Sequence, residues 1–405
     1  MKALKLLSLL CLLCSTTTLL ADQNSEELEN YISKNKQEQF SYDYEKNEAE
    51  SSKLRDSWIA PLNLQYSYSR SNPYKSEQTS QNAAIKMDQT IFQSGGIYYA
   101  IKYAKASHKY MDLSVDVLKR KLVKDAISLL MQIKQMELKI AKQNLQIKNA
   151  EINLELKKEQ YLNGQLDSGF LDNAVIERNN VIQALYDMQT AKERLVSQFQ
   201  TISDVDYKTA KIPHLDYIDE EDFLTHNIVL NMSKSDIEKN RYNKNVVTAK
   251  YLPRLSVTAG YNWSKSENSQ YVFGANEKDY YDYGFKAYMP LDINTFKDIE
   301  SSKVSYLKAQ LAIQDKKREQ RAIYDQVMQN IKNFDKKITL CIENKDIYDK
   351  LLTDTRDLYD AGYKTHYDVE LLENSLNMQK IDAQVFEIDK QLELLTLYEM
   401  YKNGK

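Results

Sequence analysis

The side chains that most often catalyse reactions or bind metals are few and widely separated in this sequence. The four histidines stand at positions 108, 214, 226 and 366, and none has a second histidine or a cysteine at the spacing of a metal site. The sequence also lacks a phosphate-binding loop, a dinucleotide-binding glycine pattern and a Ser/His/Asp arrangement in a strand–turn context. We therefore expect structural or solvated histidines, no metal, no cofactor and no enzymatic activity.

Charged side chains are abundant in this chain. Its 55 Lys and Arg residues nearly balance 58 Asp and Glu residues, which gives a formal net charge of -3. Because there is no basic block, this balance argues against a nucleic-acid partner. Individual charged residues can still select ions when they line a pore. The candidates are Lys86, Lys286 and Asp368, and their role depends on the elements that hold them.

The N-terminus has the pattern of a signal peptide over residues 1–21. Lys2 and Lys5 form a positive region, a short leucine-rich core follows, and Ala21 is a plausible cleavage point. The alternative is an uncleaved anchor, but a membrane-spanning helix needs about 20 apolar residues. We therefore expect an exported chain. After cleavage it keeps a single cysteine, Cys341, and has no internal disulfide.

Helix breakers are rare, with 9 Gly and 5 Pro, and their positions predict two long helical hairpins. Residues 97–163 and 291–361 contain neither Gly nor Pro and carry apolar residues at spacings of three and four. A helix of 67 residues would be roughly 100 Å long. Each run ends in Tyr-x-x-Gly, at Gly164 and at Gly362, and a second breaker-free run follows. Glycine permits the left-handed residue that ends a helix, so both glycines are predicted hairpin tips.

Four short segments alternate apolar and polar residues as β-strands do. They are LNLQYSYSR after Pro61, AIKMDQTI, RLSVTAGYNWS after Pro253, and YDYGFKAYMPL. Strands with one polar face and one apolar face rich in tyrosine are typical of a transmembrane barrel. The ordinary alternative is a small water-soluble sheet with one face on a core. The export signal favours the barrel, as does the lack of another segment that could supply a core.

Lys86 and Lys286 fall at corresponding positions on the polar faces of the second and fourth segments. One hypothesis is that both lysines face the lumen of a barrel and add positive charge there. The alternative is that they lie near the rim of the barrel and extend their ammonium groups into water.

The order of elements is repeated along the chain, which indicates an internal duplication. The predicted first repeat covers residues 22–205, with a β-hairpin at about 61–93 and a helical hairpin at about 97–205. An equatorial linker and helix follow over 206–250. The second repeat covers 251–405, with a β-hairpin at about 253–292 and a helical hairpin at about 295–400. Four strands cannot close a membrane barrel, so the chain must oligomerise, and three copies give twelve strands.

The sequence resembles the TolC-type outer-membrane efflux proteins, also called outer membrane factors. The duplicated layout, MDQTIFQSGGI before the first long helix, YLPRLSVTAGYNW, and the Tyr-x-x-Gly tips carry the resemblance, which covers essentially the whole mature chain. It implies an α+β membrane protein: a homotrimeric 12-stranded transmembrane β-barrel, four strands per chain, continued by a long periplasmic α-helical barrel. The implied location is the outer membrane of a Gram-negative bacterium.

The resemblance also implies a function and partners. The channel of a tripartite efflux or type I secretion system would passively conduct substrates to the outside. An inner-membrane pump or ABC exporter would supply them through a periplasmic adaptor (membrane fusion) protein, and outer-membrane lipid would surround the barrel. The alternative is a structural or adhesive trimeric coiled-coil envelope protein without transport function.

In that family, a Tyr and a basic residue near the second tip hold the periplasmic end closed, and acidic rings line the entrance. The matching positions here are Tyr359 and Lys364 for the closing links and Asp368 for a ring. Leu371 replaces a second acid, and Phe170 takes the corresponding place at the first tip, so we expect the gate at the second tip. The alternative is that Asp368 only complements the helix dipole and that Tyr359 only packs at a helix end.

Overall fold

The computed structural model describes residues 28–72, 77–269 and 272–402. The predicted signal peptide over residues 1–21 lies outside these ranges. The helices and strands of the described ranges are, in chain order, α1 (Lys34–Arg55), β1 (Asn63–Ser71), β2 (Gln78–Phe92), α2 (Gly96–Leu162), α3 (Ser168–Gln200), α4 (Glu220–Thr225), α5 (Ile228–Lys250), β3 (Arg254–Ser269), β4 (Val272–Tyr288), α6 (Thr295–Asp360) and α7 (His366–Met400). The chain divides into two compact units: residues 42–115 with 230–316, called here the sheet unit, and the remaining residues, called the helical unit.

The sheet unit contains one antiparallel sheet in the order β1-β2-β3-β4. All four segments with alternating residues are strands of this sheet. The fourth ends earlier than the sequence pattern suggests, because β4 stops at Tyr288 and leaves Met289 and Leu291 outside it. Pro290 explains the difference, since proline lacks the N–H that a strand ladder needs and restricts the residue before it.

The register places most apolar residues of the four strands on one face and most polar residues on the other, although Arg70, Lys265 and Asp279 lie on the apolar face near the hairpin turns. Leu64 lies opposite Ile85, which lies opposite Tyr261, and Tyr261 lies opposite Tyr281. Among the described residues, both faces have exposed side chains, and Tyr283 on the apolar face is 81% exposed. Among the described residues, β1 pairs only with β2 and β4 only with β3, so both outer edges are open.

In the helical unit, four long helices lie side by side in the order α3-α2-α7-α6. Three ion pairs mark these contacts: Lys192–Glu137 (3.1 Å) between α3 and α2, Lys142–Asp382 (2.7 Å) between α2 and α7, and Lys390–Asp335 (2.8 Å) between α7 and α6. Each helix is antiparallel to its neighbours. The outermost helices, α3 and α6, therefore each have one side without a neighbouring long helix in this unit.

The core of the helical unit lies where these helices meet the short helix α4. Its fully buried side chains include Ile127, Phe223, Leu394 and Leu397. Most residues of the apolar stripe on α2 contribute to burial, but Leu118 is 57% exposed. A straight helix has 3.6 residues per turn, so a stripe with alternating spacings of three and four drifts around its surface over many turns.

The C-terminal end of α7 is fixed to the same unit by polar contacts. Arg120 Nη1 donates to the Tyr401 carbonyl oxygen over 2.5 Å, and Lys402 Nζ lies 2.7 Å from Asp116 Oδ2. The Tyr401 hydroxyl donates to Asp222 Oδ2 over 2.5 Å. Burial, together with this hydrogen bond, raises the pKa of Tyr401 to about 12.

Candidate functional site

The first hairpin tip ends α2 with a pair of backbone hydrogen bonds. The N–H of Gly164 donates to the Tyr161 carbonyl over 2.9 Å, and the N–H of Gln165 donates to the Gln160 carbonyl over 2.9 Å. Gly164 has a φ of 71°. This combination is the Schellman motif, in which a left-handed residue lets two carbonyls at the helix end find donors.

The second tip ends α6 in the same way. The N–H of Gly362 donates to the Tyr359 carbonyl over 2.9 Å, and the N–H of Tyr363 donates to the Leu358 carbonyl over 2.8 Å. Gly362 has a φ of 81°, and a Cβ at this position would meet no atom within 4 Å. Glycine is therefore needed here for its backbone conformation and not for lack of space.

Each returning helix begins three residues after its glycine with a side-chain cap. Asp167 Oδ1 accepts from the N–H of Gly169 over 2.8 Å at the start of α3. Thr365 Oγ1 accepts from the N–H of Asp368 over 3.3 Å at the start of α7. Sequence analysis did not single out Thr365 or Asp167. The available signal was a Thr followed three residues later by an acid, which is typical of a capping box.

Asp368 completes that capping box. Its Oδ2 accepts from the backbone N–H of Thr365 over 2.9 Å and from the Thr365 hydroxyl over 2.8 Å. Its Oδ1 lies 3.8 Å from Lys364 Nζ. The two Thr365 hydrogen bonds, with a smaller contribution from Lys364, lower the pKa of the Asp368 carboxyl below its usual value. The carboxylate is thus charged at neutral pH, and the structure brings it together with Lys364.

Tyr359 lies on the other side of the same turn. Its ring centroid is 6.1 Å from that of His366, and its side chain is 43% exposed. Within the described part of the chain, its ring contacts His366 and not Lys364 or Asp368. Close by, the exposed side chains of Arg356 and Glu373 form an ion pair that joins α6 to α7. The three candidate gate residues therefore all lie at the second hairpin tip, between the end of α6 and the first turn of α7, but only Lys364 and Asp368 contact each other.

The two candidate lumen lysines share the polar face of the sheet. Lys86 lies between Asn63 and Gly260 in the strand register, and Lys286 lies opposite Ser256. Both are exposed. Their register partners on β3 are four residues apart, so the lysines differ in height by about 13 Å at roughly 3.3 Å per residue.

No group of three or more His, Cys, Asp and Glu residues is arranged to hold a metal ion in the part of the chain that the structure describes.

None of the helices within the described ranges combines the length and the apolar character that a membrane-spanning helix needs.

Comparison with known proteins gives a family match and a set of similar structures. Residues 221–400 match the family model described as outer membrane efflux protein. The fold is similar to that of the outer membrane protein VceC from Vibrio cholerae, with a TM-score of 0.70 and 13% identity, covering 94% of this chain and 96% of that one. It is also similar to the CmeC outer membrane channel from Campylobacter jejuni, with a TM-score of 0.71 and 11% identity over 95% of this chain and 87% of that one.

A third similar structure is the open state of the MtrE outer membrane channel from Neisseria gonorrhoeae, with a TM-score of 0.61 and 9% identity over 92% of this chain and 87% of that one. No curated protein sequence matches the chain. The family match and the shared fold confirm the resemblance inferred from the sequence, together with long helices and four antiparallel strands per chain. The matched proteins are described as outer membrane proteins or channels, and none as an enzyme.

Proposed function

We propose that this chain, which carries an outer membrane efflux protein domain over residues 221–400 and has the fold of outer membrane channels, is the outer-membrane channel of a tripartite efflux or type I secretion system. It conducts substrates passively from an inner-membrane pump or ABC exporter, through a periplasmic adaptor protein, to the outside of a Gram-negative cell. Energy comes from the partner, because the channel itself catalyses no reaction.

The observation that carries this proposal is the sheet. It has an exposed apolar face that includes Leu64, Tyr281 and Phe285, an exposed polar face, and two open edges. In water such an apolar face would be a liability. In a bilayer the same face contacts lipid, the polar face contacts the lumen, and the edges of neighbouring copies close the barrel.

Three copies of the chain give a barrel wide enough to conduct solutes. Two copies would give eight strands, whose interior is filled by side chains, whereas three give a twelve-stranded barrel with an open lumen. The two sequence repeats, residues 22–205 and 251–405 with the linker 206–250 between them, then line the ring as six similar segments. We propose that the helical hairpins of the three copies form the periplasmic continuation of the tube.

The periplasmic entrance lies at the second hairpin tip in this proposal. Tyr359 and Lys364 link neighbouring copies and hold the entrance closed, and three Asp368 carboxylates around the axis repel anions and attract cations. The position of Asp368 Oδ1 supports this role, because the capping box occupies only Oδ2 and leaves Oδ1 facing the exposed Lys364 ammonium group at 3.8 Å. That a similar protein, the MtrE outer membrane channel, has been solved in an open state supports a channel that can open and close.

The experiment compares two lysine substitutions in adjacent residues of β3. Ala259→Lys places a charge on the apolar face, where it costs about 2–4 kcal/mol in the middle of a bilayer. Thr258→Lys places the same charge on the polar face. We expect the first variant to lose heat-modifiable trimers in the outer membrane and the second to keep them.

The purified native chain and Thr258→Lys are then expected to conduct in planar bilayers. A native chain that stays monomeric and soluble without detergent, or equal trimer yields from both variants, would contradict the proposal.

A further inference from the structure

Charged side chains are distributed unevenly on the polar face of the sheet. Outside the ends whose side chains are not described, this face carries four cations and two acids, a net charge of +2 in each chain. The cations are Arg254, Lys86, Lys278 and Lys286, and the acids are Asp88 and Asp282. β1 contributes only uncharged polar residues to this face.

Two of the cations are gathered around one aromatic ring. Arg254 lies directly opposite Tyr288 in the register, and its guanidinium carbon is 4.6 Å from the centroid of the Tyr288 ring. Lys286 Nζ lies 5.7 Å from the same ring. Cation–π contacts of this kind hold a cation in place without neutralising its charge. All three side chains are exposed on the polar face.

The acids of the polar face lie further along the strands. Asp282 lies over Gly260, and its Oδ1 accepts a hydrogen bond of 2.6 Å from Asn262 Nδ2. Asp88 lies opposite Thr258. In the described part of the chain, neither acid forms an ion pair with Arg254 or Lys286. The end of the sheet from which α6 continues is therefore cationic, without a matching acid on the same face.

We propose that Arg254 and Lys286, gathered around Tyr288, form an anion-selecting collar in the lumen. This inference rests on the proposed function, because it needs three copies around a pore. It assigns to the barrel, as distinct from the acidic entrance, a class of preferred chemical groups: negatively charged ones such as carboxylates, which a guanidinium group binds with two parallel hydrogen bonds.

The dimensions of the barrel make the collar effective. Twelve strands spaced about 4.8 Å apart and tilted by about 40° enclose a barrel with a backbone radius of roughly 12 Å. Long side chains that point inward bring six charges closer to the axis than that. The Debye length is about 8 Å at physiological salt, so a solute in the lumen is not fully screened from the collar.

The test is the reversal potential of single channels under a KCl gradient. At about 0.1 M salt, we expect the channel with a neutral entrance, Asp368→Asn with Lys364→Ser, to prefer chloride over potassium by about threefold, and we expect this preference to fade near 1 M salt, where the Debye length is about 3 Å. The double variant Arg254→Gln with Lys286→Gln should lose the preference, and Arg254→Glu with Lys286→Glu should invert it. All of these channels also carry Asp368→Asn with Lys364→Ser, so that neither the charge nor the width of the proposed entrance masks the selectivity of the collar.

The matched control is Lys265→Gln, which removes a cation of β3 from the opposite face of the same sheet. It should leave the preference unchanged. Trimers on unheated gels report whether each variant assembles. Channels with the neutral entrance that conduct but prefer potassium, or whose selectivity does not respond to the collar variants, would overturn the collar alone. A complete lack of conductance in assembled native trimers would overturn the channel function as well.

Discussion

At the second hairpin tip, the two oxygens of Asp368 serve different purposes. Oδ2 is held by Thr365 in the capping box, which fixes the direction of the carboxyl group. Oδ1 lies 3.8 Å from Lys364 and is open to further partners. The helix-cap interpretation and the entrance interpretation of Asp368 are therefore compatible, because each uses a different atom.

The gate residues can be tested against a matched pair at the first tip. Replacing Tyr359 by Phe and Lys364 by Ser removes the hydroxyl and the charge that link neighbouring copies in our proposal. We expect single-channel conductance in planar bilayers to rise severalfold, because the tips then separate more easily. The control is Tyr161→Phe, which removes the equivalent hydroxyl from a side chain of nearly equal exposure, 42% against 43%. Unchanged conductance in the double variant, or an equal rise in the control, would contradict a gate at the second tip.

Individual residues were predictable where a single physical requirement selects them. The positive φ at Gly164 and Gly362 could be predicted, because each is an isolated glycine at the end of a long stretch with helical periodicity. Only part of the environment of Asp368 could be predicted. The sequence places it in the first turn of a helix, but its hydrogen bond to the Thr365 hydroxyl depends on side-chain geometry. The ring contact between Tyr359 and His366 crosses the turn, and no sequence spacing indicates it.

At the scale of elements, the two hairpin turns should respond equally to loss of glycine. The left-handed conformation costs a residue with a Cβ about 1–2 kcal/mol. Because a Cβ would meet no atom within 4 Å at either tip, this backbone cost is the only one. We expect Gly164→Ala and Gly362→Ala to speed hydrogen exchange of the neighbouring tip amides by about tenfold. Asparagine tolerates the conformation, so Gly164→Asn and Gly362→Asn should have a smaller effect; equal exchange in the Ala and Asn variants would argue against this explanation.

The long helices and the strands were predictable because each has a strong periodic signal, but α1 was not. Helix α1 buries only Asn47, whose side chain donates to Asp112 Oδ1 over 3.1 Å. Phe40 also packs, partly buried, against the apolar core. One apolar contact in 22 residues makes no stripe for a sequence pattern to reveal. The pairing order of the strands was also beyond the sequence, since hairpins fix β1 to β2 and β3 to β4 but not β2 to β3.

For the whole molecule, the order of elements determines how copies can meet. In the sheet unit, β1 lies at one edge and β4 at the other, and in the helical unit α3 lies at one side and α6 at the other. In the sheet and in the row of long helices alike, one edge comes from the predicted first repeat and the other from the predicted second repeat. Copies that meet head to tail therefore place β1 of one chain beside β4 of the next, and such a contact closes into a ring when the rotation allows it.

Proline substitutions at neighbouring positions of β1 test this closure without knowledge of the hydrogen-bonding pattern. Consecutive residues of an antiparallel strand direct their N–H groups to opposite sides. Proline at one of the two adjacent residues removes a backbone hydrogen bond to β2. Proline at the other removes only an N–H group that points away from β2, towards the open edge of the sheet. A free edge tolerates the second kind of substitution. We expect both Tyr66→Pro and Ser67→Pro to abolish trimers on unheated gels, because the neighbouring β4 uses the outward groups. If either variant assembled as well as the native chain, β1 would be a free edge and the ring would have to close elsewhere.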